Sequence, residues 1–219
     1  MDAFAALAAH GPKSGAPLDV LAGLTLIALA PFLLVMTTSF VRIVVVLSLV
    51  RSAIGASSLP PNTVLTGLAL VLTFVIMTPT LQGVSHDALD PYARGKITQS
   101  AMIGRAFVPL RAFMLRQTHA KDLTLFARVA RAPQTSPDRA PPEVLLPAFV
   151  VGELRSAFAI GFALYLPFVA IDLAVASILM GLGMFMLSPP IVSLPCKLLL
   201  FVMVDGWALV CGSVVSSFR

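Results

Sequence analysis

Residues 167–201 read PFVAIDLAVASILMGLGMFMLSPPIVSLPCKLLLF. Two apolar arms flank GLGMFMLSPP (181–190), where Gly181 and Gly183 permit close packing or positive φ and Pro189-Pro190 ends whatever precedes it. Each arm carries one charge. Asp172 lies 13 residues before Phe185, at the centre of the turn, and Lys197 lies 12 after it. Antiparallel helices joined at this turn bring the two to similar depth, so an ion pair is expected, within one chain or across a subunit interface. Such a pair either fixes helix register or belongs to a proton or ion relay. A single relay site calls for a lone ionisable group facing water, whereas here the charges come in opposite signs. Met184, Phe185 and Met186 fill the turn. Read plainly, they pack a hydrophobic turn. Read functionally, unbranched and polarisable methionines make a compliant seal that closes a pore by dewetting.

The rest of the chain shares this apolar character. Hydrophobic residues make up 58% of its 219 residues and charged residues 11%, against about 25% in an ordinary globular protein. The mean hydropathy is +0.96. With 15 Lys and Arg and 10 Asp and Glu, a polar shell cannot be built. The composition excludes a soluble globule and a disordered chain, and points to an integral membrane protein or a subunit buried in a large assembly. The net charge of +5 does not signal nucleic-acid binding, because no basic patch with interleaved aromatics accompanies it. His10, His86 and His119 are scattered and show no metal-ligand spacing. Cys196 and Cys211 stand in apolar surroundings and read as small buried hydrophobes.

Four divisions follow along the chain. Residues 1–17 have an acid at position 2 and no basic n-region, and read as a plain terminal leader in preference to the tail of a secretory signal. Residues 18–84 form a first apolar helical pair. Leu18–Met36 alone would span about 28 Å as a helix, and a break at 51–62 carries Pro60-Pro61. Residues 85–144 hold nine of the 15 basic and five of the ten acidic residues and read as an extramembranous helical insert. There Ile103, Phe107, Leu110 and Met114 repeat at helical spacing, Pro109 predicts a kink or break, and Asp122 reads as the N-cap of a second short helix. APQTSPDRAPP (132–142) reads as a loop. Residues 145–219 form a second apolar hairpin around the Met-containing turn. No internal repeat is visible. The expected fold class is all-α, built from membrane-associated helical hairpins.

Six charges stand inside apolar stretches: Arg42, Glu153, Arg155, Asp172, Lys197 and Asp205. Each costs several kcal/mol at mid-bilayer even on mild insertion scales and so demands a partner. Glu153 and Arg155 are two apart and cannot face each other along one helix. No nucleophile–base pair, phosphate-binding glycine loop or HExxH motif is present, and the expectation is a chain that is not an enzyme and takes no cofactor or metal.

The strings PFLLVMTTSFVRIVVVLSLVRSAIGASSLPPNTVLTGLALVLTFVIMTP (31–79), LRAFMLRQTHAKDLTLFARVA (110–130) and LLPAFVVGELRSAFAIGFALYLPFVAIDLAVASILMGLGMFMLSPPIVSLPCKLLLFVMVDGWALVCGSVVSSF (145–218) resemble the FliP family of flagellar type III export-gate proteins and its injectisome counterparts, the SctR group. The FMLRQT and VDGW strings look more flagellar. The resemblance implies a core channel through which unfolded proteins cross the bacterial inner membrane at the flagellar basal body. It implies several copies, five by family pattern, wound into a helical ring with FliQ-like and FliR-like subunits and a FlhB-like switch protein. It places the insert on the periplasmic side and lifts much of the assembly out of the bilayer plane. The family's characteristic acid and lysine fall on Asp172 and Lys197, and its methionine gasket falls on Met184, Phe185 and Met186. Phe185 stands where the family commonly has a third methionine, and Cys196 stands where Phe is frequent. Many flagellar members also carry a cleavable signal peptide, which residues 1–17 do not resemble. The alternatives to a flagellar gate are an injectisome gate subunit, a proton-coupled secondary transporter using Asp172, and a membrane scaffold without a pore. Many such transporters show inverted repeats, and none is visible here.

Overall fold

The structure, a computed structural model, describes residue 28 and residues 32–55, 59–131 and 140–218. Residues 1–35 and 36–219 form separate compact units. In the first, residue 28 and residues 32–35 are helical. The expected leader (1–17), most of the stretch 18–36 and most of the loop 132–142 lie outside the described residues.

The described residues of the second unit form helices joined by turns and contain no strand. Helix α1 is Phe40–Ile54 and α2 is Asn62–Val84. A π-helical turn, Ser85–Leu89, carries α2 without interruption into α3, Asp90–Ala93. The insert continues as α4 (Gln99–Gln117) and α5 (Ala120–Val129). The 40-residue α6 is Pro142–Gly181, followed by α7 (Pro189–Met203) and α8 (Gly206–Ser216).

Two buried clusters organise these helices. In α1, Ile43, Val46, Leu47 and Val50 fall at i, i+3, i+4 and i+7, one helical stripe. That stripe packs on Leu65 and Ala69 of α2, Ala157 and Phe168 of α6, and Val210 and Val214 of α8. The second cluster joins the insert to the apolar helices: Met77 of α2, Phe113 and Met114 of α4, Leu123 of α5, and Val144, Leu145, Ala148 and Phe149 of α6. At Gly161 of α6 an added Cβ would run into Leu49 of α1. A residue without a side chain is what lets these two backbones come so close.

Three local expectations are corrected. Of the kink or break expected at Pro109, the break does not occur, since helix α4 continues through it; losing one backbone donor there does not end a helix whose apolar side is held by neighbours. Asp122 is not an N-cap: His119 occupies that place, and Asp122 sits buried in the first turn of α5. Its carboxylate is taken by a distant arginine, described below, and so is not free to cap its own helix. Cys196 is exposed and Cys211 half-buried within the chain. Cys196 adjoins the buried Lys197 on α7, and neighbours in a helix point about 100° apart.

Outside these clusters much apolar surface is uncovered. Phe158, Phe162 and Leu166 recur every four residues along the outer face of α6 and are exposed, as are Val71, Phe74 and Val75 of α2. Two continuous helical runs, Asn62–Ala93 and Pro142–Gly181, are long and apolar enough to cross a membrane. A third candidate is the pair α7 and α8, bent by 65° at their junction.

Candidate functional site

The hairpin of α6 and α7 presents the turn singled out in the sequence. Helix α6 ends because Gly183 adopts a left-handed conformation, φ +76°. The Met184 N–H then reaches back to the Leu179 carbonyl at 2.9 Å and the Gly183 N–H to the Met180 carbonyl at 3.0 Å. This is the Schellman arrangement, for which glycine is the least strained residue. Pro189 and Pro190 begin α7, where a missing N–H costs nothing. The connection holds Met184, Phe185 and Met186 outward, at 43, 79 and 101% exposure. Three large apolar side chains thus stand clear of the chain at the tip of a hairpin.

Below the tip, one polar network ties the hairpin to α1. Asp172 Oδ2 of α6 lies 2.6 Å from Lys197 Nζ of α7. Lys197 Nζ also donates to the Ala53 carbonyl at 3.2 Å. Ala53 lies in the last turn of α1, where carbonyls lack intrahelical partners and a cation is favoured by the helix dipole. The Ser193 hydroxyl donates to Asp172 Oδ1 at 2.6 Å. Lys197 and Ser193 are buried while the Asp172 side chain is 35% exposed, so the pair is a clasp of three helices that stays open to solvent on the Asp172 side. Ser193 escaped the reading of the sequence. The signal was its place four residues before Lys197, on the same helical face.

Three more charges inside the apolar stretches, Arg42, Glu153 and Arg155, find partners far away in sequence. Arg42 Nε donates to Glu153 Oε2 at 2.9 Å, and its Nη2 to Glu153 Oε1 and to Gln117 Oε1. Its Nη1 donates to the Ser217 carbonyl at 2.9 Å, and the guanidinium stacks 3.9 Å from the centre of the Phe218 ring. One arginine therefore joins α1, α4, α6 and the residues after α8. Glu153 is wholly buried and Arg42 nearly so; a charge pair at that depth holds only with its remaining hydrogen-bonding capacity satisfied, which this arrangement provides. Arg155 grips Asp122 of the insert with two hydrogen bonds of 2.7 Å. Those bonds hold the Asp122 carboxyl below its ordinary 3.8, against the opposing push of burial. Glu153 and Arg155 leave α6 toward different partners, in keeping with their spacing.

Residues 23–214 match the FliP family. The chain belongs to the FliP family. The flagellar biosynthetic protein FliP of Pectobacterium carotovorum subsp. carotovorum is 51% identical over 196 residues, covering 89% of this chain and 76% of that protein. Its namesake in Caulobacter vibrioides is 48% identical over 197 residues, covering 90% of this chain and 74% of that protein. In Bacillus subtilis the figure is 46% over 197 residues, covering 89% of each. Within this FliP-family chain Asp205 stands apart from the other charges. It has positive φ, +49°, at the bend between α7 and α8, its side chain is exposed, and it makes no side-chain hydrogen bond or ion pair among the described residues. No group of three or more His, Cys, Asp or Glu that could hold a metal ion occurs among the described residues.

Proposed function

We propose that this chain is a core subunit of the flagellar type III export apparatus, forming the wall and inner seal of a channel that passes unfolded proteins across the bacterial inner membrane. The observation that carries the reading is the hairpin tip: Met184, Phe185 and Met186 are thrust outward while Asp172, Lys197 and Ser193 fix the helices beneath them. Several copies, five by family pattern, would bring their tips together as an apolar gasket, with FliQ-like and FliR-like subunits completing the channel and a FlhB-like protein beside it. The insert (85–144) would stand on the periplasmic side. Helix geometry supports a partial lift out of the bilayer: α6 has 40 residues, about 60 Å at helical rise, twice the thickness of the hydrocarbon core. The names of the FliP relatives favour the flagellar branch over the injectisome.

Deleting the gene in its host and assaying swimming together with secreted proteins tests this. Loss of filaments and exported flagellin, restored by the intact gene, is the expected outcome. Normal swimming with loss of a separate effector set would move the chain to the injectisome branch. No change in either, in a strain without a second copy, would overturn the export reading and bring the transporter alternative forward.

A further inference from the structure

On the side of the apolar helices the insert ends at the turn Thr118–His119, between α4 and α5. The Gln117 carbonyl and the Asp122 carboxylate each lie 3.8 Å from where a Cβ on Gly152 of α6 would stand. With the two bonds from Arg155 to Asp122, this fixes the turn at one level of α6. Arg116 and Lys121 flank the turn and are exposed. Asp122 neutralises Arg155. Arg116 makes no ion pair or side-chain hydrogen bond among the described residues, and Lys121 acts on Asp122 only through its longer-range field. The remaining described acids of the insert stand apart. Glu143 is 12 residues before Arg155 on α6, about 18 Å. Asp87 and Asp90 follow Gly83, which packs on Pro109, eight residues before Gln117. From the turn toward the hairpin tip, the surface changes character. Arg155, Phe162, Leu166 and Leu173 lie 7, 4 and 7 residues apart and so share one face of α6. Phe158 lies beside them, and all five are exposed. From Arg155 to the end of α6 at Gly181 the chain advances 26 residues, about 39 Å, against a hydrocarbon core of about 30 Å. Asp172, paired with Lys197, is the only charge in that length.

We infer that the α4–α5 turn is a headgroup site, where Arg116 and Lys121 hold the phosphate of an anionic phospholipid whose acyl chains lie along the exposed face of α6. The occupant has to be anionic at one end and apolar along the stripe that follows, which describes a phospholipid and no soluble anion. Charge complementarity selects it over a second copy at the same depth, whose own turn presents the same two cations. In such a copy Glu143 stands about 18 Å to one side of this level. Asp205 stands to the other side: its neighbours Val204 and Gly206 line one cavity with Leu164, nine residues and about 14 Å beyond Arg155. A soluble acidic protein would meet the cations and leave the face of α6 uncovered. Holding the turn among headgroups also sets the depth of α6. Pro142–Leu154 then runs beside the insert outside the hydrocarbon, and the apolar stripe crosses it.

The inference rests on α6 lying in a membrane and not on protein export, so its test does not use motility. The purified full chain in detergent is titrated with phosphatidylglycerol or with phosphatidylcholine of the same acyl chains, and the retained lipid is counted by native mass spectrometry. Wild type should retain phosphatidylglycerol in preference. Arg116→Glu with Lys121→Glu should cut that retention at least about fivefold, with phosphatidylcholine retention and the thermal midpoint unchanged. Glutamine at the same two positions should cut it less, and decides the matter if the glutamate pair does not fold. Arg94→Glu with Lys96→Glu, beyond the far end of the 19-residue α4 and so about 28 Å from the turn, should keep the wild-type preference. Equal retention of the two lipids by wild type, or an unchanged preference in the variants at 116 and 121, would overturn the inference. So would displacement of phosphatidylglycerol by millimolar inorganic phosphate, or a chain recovered only as lipid-free dimers. If gene deletion left swimming and export intact while the lipid preference held, the export reading alone would fall.

Discussion

At the scale of single residues, the Arg42–Glu153 pair shows why an ion pair is poor evidence of stability yet dangerous to break. Both groups lost their hydration on burial, and their attraction with the added bonds to Gln117 and Ser217 offsets that loss. Removing one partner strands the other. Glu153→Ala should therefore destabilise the purified chain by about 3–5 kcal/mol, read as a lower thermal midpoint in detergent. The double variant Arg42→Met, Glu153→Leu should recover most of that loss. Wild-type stability in Glu153→Ala would show that water reaches the site. The sequence announced that these charges needed partners but not which ones. Glu153 and Arg42 are 111 positions apart, and nothing local couples them. Asp172 and Lys197 were readable because one short turn fixes how their helices align.

At the scale of elements, two junctions invite tests. Helix α8 meets α7 at Gly206, where an added Cβ would strike the Phe201 ring, itself edge-on to Trp207 at 5.3 Å. Gly206→Ala should cost about 1–3 kcal/mol by overpacking, with Phe201→Leu in the same chain relieving part of it; an unshifted thermal midpoint would mean the bend opens freely. The insert is held to α6 by Asp122 and Arg155. The Asp122 carboxyl lies below its ordinary 3.8 in the folded chain, so under acid the unfolded chain takes up the proton first. The contribution of the pair is full above about pH 4 and is lost as pH falls through the lower, folded value. Asp122→Asn should thus be less stable than wild type at neutral pH by a constant margin that closes below about pH 4. Arg155 is partly exposed, so salt should shrink that margin; parallel curves down to the acid limit would remove the pair from the account. Helical periodicity made α4 legible, and a long apolar run did the same for α6. It did not show the α7–α8 break, since residues 191–215 are apolar on both sides of Asp205 and carry no proline at the bend.

At the scale of the whole molecule, the exposed apolar faces of α2, α6 and α7 and the protruding tip describe a part made to be covered. If the tips of several copies form the seal, deleting Met184–Met186 should leave assembly intact and raise ion leakage across membranes holding the complex. A conductance equal to wild type would remove the loop from the seal. The sequence by itself determined the all-α class, the apolar helices, the charged insert, the hairpin turn and the Asp172–Lys197 pairing, because each follows from composition, periodicity or a short connection acting locally. Only the tertiary structure decided that Lys197 also grips the end of α1, that Arg42 of α1 binds three other segments at once, that Asp122 serves α6 in preference to its own helix, and that the Asp205 side chain has no partner among the described residues. Those outcomes depend on which helix faces meet. That is set by the burial of distant apolar stripes, and no local pattern in the chain encodes it.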